Sequence, residues 1–186
     1  MTDHAPGFAN AESETPRAAA VLVPVFRGAR GQIRIVLIRR AESGTHAGQI
    51  AFPGGRRDPD DPGPVETALR EAYEEIGLEP RRVEVLARLQ QIVTRSSGFV
   101  IAPVLCRIDP PERWRPDPLE VAEVIEVDVP ELARADARGE ALDLLAGWTP
   151  PHPLPFYHVG PHRLWGATYR ILHPLIPRLL AEEWPI

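Results

Sequence analysis

Proline restricts this chain more than any other residue, because it donates no N–H to a ladder and its ring clashes with the helical turn before it. There are 22 in 186 residues, more than twice the usual ~5%. Pro59, Pro62 and Pro64, with Gly63 among them, forbid regular structure just before residue 65, and Pro80 stops any helix that reaches it. Between these limits a helix is predicted over 65–76. Val65, Leu69, Ala72 and Ile76 fall on one stripe at helical spacing, flanked by Ala68 and Tyr73, and Gly77 is placed to cap the end. Four prolines make 109–118 a loop, and 148–161 reads as another, with a short strand at 156–159. Pro130 suits the first turn of a short helix reaching about residue 138. A last helix is predicted over 164–183, bent near Pro174 and Pro177.

Strands fill the remaining windows. Apolar runs at 18–26 and 33–38 flank a Gly28–Gly31 connection and predict a hairpin. Further strands are predicted at 49–52, 83–93, 99–108 (after a turn at 94–98) and 121–129. Residues 1–17 are small and polar without periodicity and are expected to form a disordered tail, leaving 18–186 as a single domain. There is no internal repeat. Strands interspersed with a few helices, in no regular βαβ repetition, predict an α/β fold with a mixed sheet and helices on both faces.

Composition removes several functions. All 21 basic residues are Arg, so there is no P-loop lysine, Schiff-base lysine or kinase-type lysine. One cysteine, Cys106, excludes an internal disulfide framework and a multi-cysteine zinc site; within an apolar run it reads as a buried thiol, not a nucleophile. A net charge of −5 argues against a general nucleic-acid binder. No apolar run is long enough to span a membrane, and the first residues lack the pattern of a signal peptide, so a cytoplasmic protein is expected.

The chemistry concentrates at 70–78. Glu71, Glu74 and Glu75 share an arc that the helical wheel places roughly opposite the apolar stripe. Like charges at those spacings destabilise a helix by ~0.2–0.5 kcal/mol per pair. They also crowd toward the C-terminal end, where the helix dipole disfavours anions. A hard divalent cation such as Mg²⁺ would offset both costs; a solvated acidic face with an Arg70–Glu74 pair is the plainer reading of the cluster alone. Ahead of it, Phe52-Pro53-Gly54-Gly55 could let backbone approach a ligand, or could be an ordinary tight turn.

Loop and helix together resemble the Nudix box: Gly, five residues, Glu, seven residues, then Arg-Glu-apolar-x-Glu-Glu-x-Gly-apolar. Arg70 through Leu78 match every fixed position of the second half. Gly55 opens the first half, but Asp61 stands where Glu is usual, and eight residues separate it from Arg70, which weakens any role for Asp61. The runs 36–41 and 48–55, with 99–104 and 164–168, are similar to the coenzyme A diphosphatase branch, although an Arg usual between the positions of Ala41 and Gly48 is missing.

The resemblance implies a Nudix-type α/β/α sandwich and divalent-metal-dependent hydrolysis of a diphosphate. From coenzyme A (CoA) or a derivative this gives 3′-phospho-AMP and 4′-phosphopantetheine. It implies Mg²⁺ or Mn²⁺ on Glu71, Glu74, Glu75 and the Gly54 carbonyl, with Glu71, Glu74 and Arg70 as the catalytic set. Glu71 is the first choice of general base, and Glu120 or Glu123 the alternative. Arg39, Arg40, Phe52, Arg56, Arg57 and Arg95 are the candidate substrate contacts, while His46, His158 and His162 could assist. Trp165 and Tyr169 read as core or interface residues. The expected partner is a small nucleotide-type molecule, with no nucleic acid and no membrane; a homodimer is left open. ADP-ribose or a dinucleotide is the rival substrate, and a Nudix-fold sensor without turnover is the rival outside enzymology.

Overall fold

The computed structural model describes residues 16–42, 46–94, 98–143 and 152–186. Expectations for Arg95 and for the tail over 1–15 lie outside these residues. The central element is β1 (Arg17–Arg27), which opens one residue before its apolar run and is buried along most of its length. It pairs in parallel with β7 (Phe99–Ile108) from Arg17↔Phe99 to Val25↔Arg107. Its far end forms the expected antiparallel hairpin with β2 (Ile33–Arg40). Beyond that hairpin β1 and β2 separate. The gap admits β3 (Ile50–Ala51), which pairs with β2, and β4 (Gly54–Arg56), which pairs with β1. The Pro53-Gly54-Gly55 segment is therefore part of the sheet, not a free turn. The predicted strand over 83–93 is two pieces, β5 (Val83–Arg88) and β6 (Ile92–Val93), both on β7. β8 (Val121–Asp128) closes the other edge against β2.

Helix α1 (Pro64–Ile76) covers one face of this mixed sheet. Ala68, Ala72 and Ile76 pack there on Leu22, Val36, Ile38, Val104 and Cys106. Gly77 ends the helix at φ 70°, a left-handed conformation that glycine adopts without strain. Its N–H donates to the Tyr73 carbonyl and that of Leu78 to Ala72, as in a Schellman cap. The opposite face carries α3 (Gly166–Leu180), whose Ile171, Leu172, Leu175 and Leu179 pack on Val23, Ile35, Leu37 and Leu105. The expected helices on both faces are thus present.

Two expectations about the C-terminal third need correcting. The helix predicted to reach residue 138 is only α2 (Val129–Leu132), and the 148–161 region is not a loop where it is described. A second, three-stranded sheet forms there, from β9 (Arg138–Asp143), β10 (His152–Val159) and β11 (His162–Leu164). Prolines do not prevent it, because Pro153 and Pro155 alternate and both direct their missing N–H to the edge that β11 does not reach. The last helix accordingly starts after β11, at Gly166. No helix among the described residues is long and apolar enough to cross a membrane.

Phe52, a candidate substrate contact, is 2% exposed and packs in the α3-side core with Ile50 and Leu37. It has no face left for a ligand. Phe52→Ala is expected to remove about 3–5 kcal/mol of stability, read as a lower urea midpoint. A change below about 1 kcal/mol would contradict a core role.

Candidate active site

The site begins where β4 lies beneath α1. Thr67, Glu71 and Glu75 follow one another at every fourth position, and all three side chains are turned inward. Glu75 is 1% exposed; its Oε2 accepts the Gly54 N–H at 2.8 Å, and its Oε1 lies 3.8 Å from Arg40 Nη1. Gly54 takes φ 151°, and a Cβ there would overlap the Ala20 carbonyl, so only glycine delivers this N–H. Glu71 depends on glycine for space: a Cβ on Gly55 would fall 2.5 Å from its Oε2.

This placement corrects the expected arc of three carboxylates. Glu75 belongs to the buried side beside Ala68 and Ala72, whereas Tyr73, predicted to flank the apolar stripe, is 55% exposed. Glu74 points to solvent. Burial pushes the Glu75 carboxyl up to about 7, opposed by the Gly54 N–H and Arg40 and reinforced by the charges of Glu71 and Glu120. Burial also raises Glu71, against the pull of Arg70 and with the added repulsion of Glu74 and Glu120.

Arg70 connects the helix to the proline-rich approach. Its Nη1 lies 2.9 Å from both Glu71 and Glu74, and its Nη2 donates to the Arg56 carbonyl at 3.0 Å. Nε and Nη2 together grip Asp61 at 3.2 and 3.0 Å. Asp61 is buried and also accepts the Thr67 hydroxyl and the Asp58 N–H. The Arg70 guanidinium holds its carboxyl far below the usual carboxylate range. The spacing weakens any role for Asp61, yet Asp61 anchors Arg70 and Thr67, because the loop absorbs the extra residue. Thr67, buried beneath the site and bonded to Asp61, is a bracing residue that the sequence does not announce, because nothing there distinguishes it from a helix-surface threonine.

The other candidates disperse. Arg40 faces Glu75, but Arg39 bonds to Glu42 at 2.6 Å on the far side of β2. Arg56 is exposed and contributes its carbonyl to Arg70. Arg57 spends its guanidinium on the Asp61 and Pro62 carbonyls, bracing the loop. His46 and His158 are exposed, and His162 lies 3.6 Å from Glu123. Cys106 is fully buried, and burial pushes its thiol up, as expected for an inert residue. Tyr169 stacks on Tyr157 and His173 at the α3-side core.

No three acidic, His or Cys side chains among the described residues converge tightly enough to hold a metal as they stand. The donor set nevertheless fits a hard divalent cation. Two carboxylates lie against one glycine strand, both with raised proton affinity, and a cation relieves the repulsion that contributes to it. Glu71 and Glu75 are placed for this role; Glu74 would have to leave Arg70.

A family model described as the NUDIX domain matches residues 16–148. A Mus musculus protein named mitochondrial coenzyme A diphosphatase NUDT8 is 37% identical over 170 residues, covering 89% of this chain and 79% of that one. A Photorhabdus laumondii protein named uncharacterized Nudix hydrolase NudL is 35% identical over 164 residues, covering 88% and 85%. Among solved structures, the M. smegmatis Nudix hydrolase RenU superposes with a TM-score of 0.55 at 24% identity, over 63% of this chain and 74% of that one, a likeness of fold.

Two measurements check the geometry. A carboxyl whose native pKa is raised contributes stability that is fully present below its ordinary value of 4.5 and lost as pH rises through about 7. In chelator, Tm should therefore fall between pH 5 and 8, and Glu75→Gln should flatten that fall; an unchanged slope in the variant would show that another group causes it. Asp61→Asn should cost on the order of 3 kcal/mol in chemical denaturation, because it leaves the enclosed end of Arg70 without its counter-charge.

Proposed function

This chain belongs to the Nudix hydrolase family, and from that premise we propose that it cleaves the diphosphate linkage of CoA or a CoA derivative, with Mg²⁺ or Mn²⁺, to 3′-phospho-AMP and 4′-phosphopantetheine. The observation that carries the chemistry is the buried pairing of Glu75 with the Gly54 N–H beside Glu71 and Arg40. The choice of CoA draws on the likeness to NUDT8 over most of both chains.

Glu71 and Glu75, with the Gly54 carbonyl and with Glu74 once released from Arg70, would hold a divalent cation, which would supply charge neutralisation on the diphosphate and acidify water. The chain's own residues do the rest. Arg40 reaches the same space from β2 and meets a phosphate oxygen there, while its distance of 3.8 Å from Glu75 leaves it donors to spare. Water attacks one phosphorus, the bond to the bridging oxygen breaks, and each product leaves as a phosphomonoester. Glu71 accepts the proton of the attacking water, since its carboxylate lies over Gly55 with no side chain between. Arg70 steadies Glu71 from behind, itself braced by Asp61. For a second base, Glu120 is favoured over Glu123: its charge is felt at both Glu71 and Glu75, whereas Glu123 is shared by Arg39 and His162.

Purified protein with Mg²⁺ or Mn²⁺ and a panel of CoA, ADP-ribose and NADH tests the reading. Release of 3′-phospho-AMP from CoA is expected, falling by at least about 10²-fold in Glu71→Gln and Glu75→Gln while the far-UV helix signal persists. Brisk ADP-ribose cleavage without CoA turnover would favour the rival substrate, and silence across the panel a sensor.

A further inference from the structure

The last turn of a helix leaves carbonyls without helical partners. At the end of α1 two of them are met by the loop that precedes β8. The Arg115 N–H donates to the Ile76 carbonyl at 3.1 Å, and the Asp117 N–H to the Glu75 carbonyl at 2.9 Å. From Asp117 the chain enters a tight turn. The Asp117 carbonyl accepts the N–H groups of Glu120 and Val121 at 3.1 and 2.8 Å, while its Oδ1 accepts that of Leu119 at 2.9 Å. Asp at the first position and Pro118 at the second are the residues such a turn favours. On its other side the Glu120 carbonyl accepts the Ala41 N–H at 2.8 Å, one residue beyond Arg40. The turn is thus pinned between the two elements that present Glu75 and Arg40. Glu120 is exposed, and its side chain makes no hydrogen bond or ion pair among the described residues, so the turn alone decides where its carboxylate stands. Its charge reaches both Glu71 and Glu75.

Resting on the proposed function, we propose that Asp117 is a positioning residue: through its turn it holds the Glu120 carboxylate toward Glu71 and Glu75, where Glu120 acts as the second base and adds its charge to the cation site. The main-chain bonds of Asp117 are open to any residue, but the bond from the Leu119 N–H needs a side-chain acceptor here. Nothing else braces the tip, because Leu119 is 78% exposed and packs on no core. Without that acceptor the turn loosens, and the Glu120 carboxylate spreads over many positions. The same residue fastens the turn to the main chain of Glu75, so a metal-ligand candidate and the second base share one anchor.

The test measures Mn²⁺ affinity by calorimetry, and kcat and KM on the panel of CoA, ADP-ribose and NADH. The variants are Asp117→Ala, Asp117→Asn, Glu120→Gln, and Asp117→Ala combined with Glu120→Gln. Glu120→Gln should weaken Mn²⁺ binding several-fold, as loss of a nearby charge does, and lower kcat with little change in KM. Asp117→Ala should move both quantities the same way, by roughly three- to tenfold, the worth of one hydrogen bond. Asp117→Asn keeps the acceptor without the charge and should behave as the native chain. In the Glu120→Gln background, Asp117→Ala should change neither quantity further, a non-additivity that a merely structural role would not produce. Additive losses, an Asn variant as impaired as the Ala variant, or loss of the folded state in Asp117→Ala would overturn the assignment. If the Mn²⁺ pattern holds while nothing on the panel is cleaved, the hydrolase reading falls and the positioning role stands. CoA turnover that Asp117→Ala leaves untouched would do the reverse.

Discussion

The hydrogen bond from the Gly54 N–H to the buried Glu75 carboxylate is the contact on which the arrangement rests. It joins α1 to the sheet at the point where β1 and β2 part, and it needs both partners to be unusual. Gly54 must sit against the β1 backbone in a conformation barred to other residues, and Glu75 must enter the protein interior, where a carboxylate is ordinarily unstable. Arg40 approaches from the neighbouring strand but stays too far away to neutralise the group. A metal-ligand candidate is thereby held underneutralised in a rigid frame, the condition in which a cation gains most by binding.

Behind that contact is a second layer of order. Asp61 collects two arms of Arg70, the Thr67 hydroxyl and the Asp58 N–H, so the proline-rich approach and the first two turns of α1 form one unit. Arg57 closes the same loop from its other end through main-chain carbonyls. The arginines near the site thus have separate roles. Arg70 and Arg57 hold the frame, Arg40 faces the carboxylates, and Arg39 serves the opposite side of the sheet.

The main elements are legible in the sequence because proline and glycine bound them. The limits of α1, its αL cap at Gly77 and the strands at β1, β2, β7 and β8 follow from residues whose backbone preferences act locally. The site is legible as a motif but not as a geometry. Periodicity places Glu75 with Glu74, because a helical wheel cannot show that the Gly54–Arg56 strand supplies a buried donor from a distant part of the chain. Spacing alone discounts Asp61, yet a loop can take up one residue without moving the carboxylate it presents. Phe52 and Arg57 look like ligand contacts by adjacency to the glycines, but alternation along the chain sends one into the core and the other back onto its own loop. The second sheet is hidden by prolines that occupy its open edge.

The parallel pairing of β1 with β7 has a consequence for how the site comes into being. A parallel ladder cannot close through a tight hairpin; it must wait for a long crossing connection, here the whole stretch between Arg27 and Phe99. That stretch contains Gly54, Glu71 and Glu75, so the loop-closure entropy of the sheet and the assembly of the site fall on the same event. Gly54 is in turn laced to β1, and freeing it means opening the middle of the molecule. Assembly of the carboxylate pocket is therefore tied to closure of the sheet, and a cation held there would be coupled to global folding, each strengthening the other.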